Sequence, residues 1–86
     1  MKPTDAELLI LRVLWEEESA TVREVHEALG DKGVRYTTTL KQLQVMFEKG
    51  LVTRDDSDKS HVYKAAQAEE ETQATLLDHL LENAFA

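Results

Sequence analysis

The chain has no cysteine, a single proline and three glycines among its 86 residues, and its aromatic residues are one Trp, two Tyr and two Phe. Without cysteine there is no disulfide staple, no thiolate zinc site and no cysteine nucleophile, and the composition suits a reducing cytoplasm. The glycines form no phosphate-cradling loop. Long apolar runs are missing too. The longest apolar-rich stretch, Ala6 to Trp15, is broken by Glu7 and Arg12 and falls far short of the roughly 20 apolar residues that span a bilayer. The start, Met1-Lys2-Pro3-Thr4-Asp5, holds one base and then an acid, unlike a secretory signal. The expectation is a cytoplasmic protein that does not insert into membranes.

Positive charge is also in short supply, with ten Lys plus Arg against seventeen Asp plus Glu and a net charge of −7. Its distribution matters more than its total. All ten bases lie at or before Lys64, whereas Glu69, Glu70, Glu71, Asp78 and Glu82 follow with no base among them. Between Lys32 and Lys64 seven bases face four acids, so the middle third is the plausible anion-facing surface. The length fits one small domain or a fragment of a slightly longer chain. A core this small, burying only ~60 to 65% of the unfolded surface, is marginal without a partner.

What is present is organised by helix signals. Thr4-Asp5-Ala6-Glu7 has capping-box form and predicts a helix from Asp5, with Leu8, Leu11, Leu14 and Trp15 on its apolar face and Leu9, Ile10 and Val13 widening it. Glu16, Glu17 and Glu18 read as its solvated end. A second box, Thr21-Val22-Arg23-Glu24, opens a shorter helix with Val22, Val25, Ala28 and Leu29 inward, closed by Gly30. After a turn over Asp31 to Arg35, a third helix starts near Tyr36 to Thr38 and runs to Gly50 with Leu40, Leu43, Met46 and Phe47 inward. The period then changes to 2: Leu51 to Arg54 and His61 to Lys64 read as a hairpin around a polar loop. A last helix from about Glu69 to Phe85 carries Leu76, Leu77, Leu80, Leu81, Ala84 and Phe85 at coiled-coil spacing, a seam suited to a second chain.

The fold class that follows is mainly α with a small β-hairpin, a winged helix-turn-helix over residues 1–66 followed by a C-terminal dimerisation helix over 67–86. Removing the core face of the third helix leaves Tyr36, Thr37, Thr38, Thr39, Lys41 and Gln42 near its amino end, preceded by Arg35. Hydroxyls, an amide and an ammonium there suit phosphate oxygens and base edges. Lys59, Ser60 and His61 in the hairpin loop could cross a nucleic-acid backbone, although Asp55, Asp56 and Asp58 stand beside them. Lys41, Lys49, Arg54 and Lys59 are the expected phosphate-neutralising set. His26 reads as a half-exposed packing residue, and His79 with Asp78 and Glu82 as a solvated helical group. No spacing supports a metal site, a nucleophile with its base, or paired buried carboxylates. A non-enzymatic protein without a cofactor is expected.

Several segments in order carry a family resemblance: Thr4-Asp5-Ala6-Glu7-Leu8 with Val13-Leu14-Trp15; Thr21-Val22-Arg23-Glu24-Val25; Tyr36-Thr37-Thr38 followed by Leu43; Glu48-Lys49-Gly50-Leu51-Val52; and His61-Val62-Tyr63. Over roughly residues 4 to 85 the chain resembles the penicillinase repressor (BlaI/MecI) family. The resemblance implies a repressor that binds a palindromic operator in double-stranded DNA as a homodimer, joined through its C-terminal helices. It also implies groove-reading positions at Tyr36, Thr37, Thr38, Lys41 and Gln42, with backbone contacts near Thr21 and at Lys59 to His61. In some members a membrane sensor-protease system triggers cleavage of the repressor, and a copper-responsive branch uses cysteines that this chain lacks. Val45 stands where many members have Arg, and Asp58-Lys59 where the wing commonly reads Gly-Arg. Family chains usually continue beyond the position of Phe85, which implies a shortened chain or a natural variant with a reduced dimer interface. The alternative function, favoured by the net negative charge, is a winged-helix protein-protein interaction module without sequence-specific DNA binding.

Overall fold

The computed structural model describes residues 2–30, 33–57 and 59–85, and the side chain of Phe85 lies outside that description. Helix α1 spans Asp5–Glu17. Its start is fixed by the expected box: the Glu7 amide donates to Thr4 Oγ1 at 3.2 Å and the Thr4 amide donates to Glu7 Oε1 at 2.8 Å. Ile10, Leu11 and Leu14 are buried, while Leu8 and Trp15 are half-buried and Leu9 is exposed, so the inward face is narrower than the stripe of apolar residues. The helix ends in a γ-turn at Glu18, whose φ of 67° and ψ of −46° bring the Ser19 amide to donate to the Glu17 carbonyl at 2.8 Å. This reverses the chain at once into a two-residue strand, β1, Ala20–Thr21.

Helix α2, Val22–Leu29, repeats the capping box through Thr21 and Glu24 and stops at Gly30, which takes a left-handed conformation at φ 57°. Helix α3 spans Tyr36–Lys49 and stops at Gly50 in the same way. The hairpin strands are β2, Val52–Asp55, and β3, Val62–Ala65, each displaced by one residue from the expected limits. They do not stand alone. The sheet is three-stranded and antiparallel in the order β1-β3-β2, with Ala20 opposite Tyr63 and Thr21 opposite Val62.

One core joins all of these elements: Ile10, Leu11 and Leu14 of α1, Ala20, Val22 and Val25, Leu43 and Met46 of α3, Val52 and Tyr63. Phe47, expected inward, is 39% exposed and carries the Arg54 guanidinium over its ring at 4.3 Å from the centroid. Helix α4, Glu69–Phe85, is attached near its start. There Trp15 Nε1 donates to the Gln67 carbonyl at 2.9 Å, Thr72 is buried, and Leu76 is half-buried beside Leu8, Leu9 and Trp15. Beyond Leu76 the helix stands clear of the core, with Leu77, Leu80 and Leu81 exposed by 54%, 63% and 45%. Of the expected seam, Leu76 is therefore partly spent within the chain, and the side chain of Phe85 is among those not described. Among the described residues no helix is long and apolar enough to cross a membrane.

Candidate nucleic-acid interface

The amino end of α3 is turned outward. Arg35, Tyr36, Thr37, Thr38 and Lys41 are exposed and Gln42 is half-buried. Thr39 is a correction. A rotation of about 100° per residue places it on the stripe of Leu43 and Met46, at i, i+4 and i+7. It is 1% exposed, and its Oγ1 lies 2.9 Å from His26 Nδ1. It therefore has no access to DNA in this fold, and the same spacing was open to reading in the sequence.

Two grooves flank the exposed edge of α3. On the α1 side, Thr37, Thr38, Lys41, Gln42 and Val45 line a depression with Thr4 and Glu7. Its single carboxylate is already engaged: Lys49 Nζ donates to Glu7 Oε2 at 2.9 Å. Burial alone would raise the Glu7 pKa, but the hydrogen bond from the Thr4 amide and the bond and charge of Lys49 outweigh it and hold the group below its ordinary range. Lys49, expected to neutralise phosphate, is thus committed to the fold. On the other side a groove separates α3 from the hairpin. Thr21 and Arg23 line it from the start of α2, Tyr36, Leu40 and Gln44 from α3, and Arg54, Lys59, Ser60 and His61 from the hairpin. Three cations face this groove, and no carboxylate of the described residues lines it.

The two described acids of the hairpin, Asp55 and Asp56, are occupied locally. The Ser57 hydroxyl, together with the Ser57 amide that donates to Asp55 Oδ1 at 2.9 Å, holds the Asp55 carboxyl below its usual range. Asp56 Oδ1 lies 2.8 Å from Arg54 Nε and 3.0 Å from His61 Nδ1. Arg54 is therefore held between Asp56 and Phe47 at the groove wall, while Asp58 lies outside the described residues. Of the sequence-expected positions, Thr21, Tyr36, Lys59, Ser60 and His61 meet in one groove, and Thr37, Thr38, Lys41 and Gln42 meet in the other. Arg23 and Gln44 were not anticipated. Gln44 is eight residues beyond Tyr36, two helical turns along the same face, which was a usable signal; Arg23 reaches the groove only through the packing of α2 on α3. His79 Nε2 lies 3.0 Å from the Asn83 amide nitrogen on the exposed side of α4. Among the described residues no group of three or more His, Cys, Asp or Glu is placed to hold a metal ion.

The sequence profile of the family described as penicillinase repressor matches residues 3–86. No curated protein matches the chain significantly. Among solved structures, the one titled "solution structure of apo-NmtR" is similar, with a TM-score of 0.60 and 28% identity over 95% of this chain. The chain spans 63% of the length of that neighbour.

Proposed function

The chain belongs to the penicillinase repressor family of winged-helix, DNA-binding transcriptional repressors, and from that membership we propose that it binds a palindromic operator as a homodimer. The observation that carries the proposal is the adjacency of two unlike surfaces. A polar edge of α3, free of cationic crowding, lies next to a groove faced by Arg23, Arg54 and Lys59. With α3 in the major groove, Thr37, Thr38, Lys41 and Gln42 reach base edges, and the cation-lined groove receives the phosphate backbone. Leu77, Leu80 and Leu81 pair with their symmetry mates, setting two α3 helices about 34 to 36 Å apart or a multiple of that distance. Release through a sensor-protease signalling partner belongs to the same proposal, on family resemblance alone.

The test begins with selection of the preferred operator from random duplexes. Thr38→Ala and Gln42→Ala are each expected to cost ~1 to 3 kcal/mol on that operator and little on random DNA, whereas Lys59→Ala weakens both alike. Equal losses on both DNAs for all three variants would show that α3 does not read bases.

A further inference from the structure

We propose that His26 is a positioning residue for sequence reading, fixing the first turn of α3 against α2 and acting through Thr39 and Tyr36. The inference rests on the reading that α3 contacts base edges. Both α1 and α2 begin with a complete capping box, but the N-cap of α3 is Arg35, whose side chain makes no capping bond. An uncapped first turn frays unless tertiary contacts hold it. Here those contacts come from α2. His26 Nδ1 lies 2.9 Å from the buried Thr39 hydroxyl, and the His26 ring meets the Tyr36 ring edge to face, at 5.8 Å and 83°. Arg23, one turn earlier on α2, places its guanidinium 5.6 Å from the Tyr36 ring centroid.

His26 thus touches the first and fourth residues of α3, and Thr37 and Thr38 lie between them. Loss of the imidazole orphans a hydroxyl that water cannot reach and removes the edge on which Tyr36 rests. Contacts to base edges need side chains held to within about 0.5 Å, whereas contacts to phosphate tolerate more play. Removing His26 should therefore degrade the choice of sequence more than the attraction to DNA.

The experiment measures affinity for the selected operator and for a random duplex, with circular dichroism to follow folding. His26→Ala is expected to lower the ratio of the two affinities about tenfold, through the operator alone. His26→Asn, whose amide stands where Nδ1 stood, should recover much of the loss. Thr39→Val, which keeps the volume and removes the hydroxyl, should reproduce it while Thr39→Ser does not; this pair decides the question if His26→Ala does not fold. A folded His26→Ala with the ratio of the parent, or a Thr39→Val indistinguishable from Thr39→Ser, overturns the role. A parent that shows no preference for any operator overturns base reading itself, and the role of His26 falls with it.

Discussion

At Glu7 a local helix signal and a long-range ion pair use the same carboxylate. The box with Thr4 was legible because both partners lie within four residues. Lys49 was not, because nothing in the sequence ties position 7 to a residue 42 positions later until α1 and α3 pack. The consequence is a pH dependence with a definite sign. The folded-state pKa of Glu7 lies below its ordinary value of 4.5. Its contribution to stability is complete above the unfolded-state value and is lost as pH falls through the folded-state value. Glu7→Gln is expected to lower stability near neutral pH by about 1 to 2 kcal/mol and to flatten the loss of stability below about pH 5. Urea unfolding of both proteins at neutral and acidic pH checks this, and parallel curves would mean that Glu7 is not the titrating group. Thr39 carries the opposite lesson. Its burial was implied by helical spacing, and composition misdirected the reading because three consecutive threonines look alike.

Among the elements, α1, α2, α3 and the hairpin follow from capping boxes, terminal glycines and the change of period, and α4 follows from the spacing of its leucines, whereas β1 had no signal of its own. Two residues cannot show an alternation. Ala20 and Thr21 become a strand only because the γ-turn at Glu18 lays them against β3. In the proposed complex the hairpin holds an internal competitor for phosphate. Asp56 occupies Arg54 and His61, two residues that line the groove beside α3. Asp56→Asn is expected to tighten binding to any duplex several-fold at low salt, with the gain fading as salt rises and with a stability change below about 1 kcal/mol, because Asp56 is exposed and Arg54 keeps its contact with the Phe47 ring. Titration of a random duplex at two salt concentrations decides it. Weaker binding at low salt would mean that Asp56 serves the interface by holding Arg54 in place.

The whole molecule is divided by charge and by packing in the same direction. The bases end at Lys64, and beyond Gln67 the Asp and Glu have no Lys or Arg among them, on a helix whose outer half is exposed among the described residues. The extents of 47 × 30 × 22 Å reflect that projection. Like-charged DNA would repel this end, which leaves its exposed leucines for another surface. The proposed pairing of two such helices predicts that Leu77→Asp with Leu81→Asp shifts sedimentation toward the monomer and weakens binding to a full palindrome much more than to a half-site. Identical sedimentation of parent and variant, with equal affinity for half and full sites, would remove the dimer from the mechanism. The leucine spacing was legible in the sequence. That Leu76 turns back toward α1 was not, because the spacing alone does not tell which partner covers which leucine.

Thr21 stands where three features of the chain meet. Its hydroxyl caps α2, its backbone closes the sheet against Val62, and its side chain lines the cation-faced groove. Helix, sheet and the proposed binding surface therefore share a single hinge pin. Exchange there for a residue that cannot accept a hydrogen bond from the Glu24 amide would disturb the start of α2, the edge of the sheet and the proposed interface together, so Ser, Asp or Asn are the replacements the position can take.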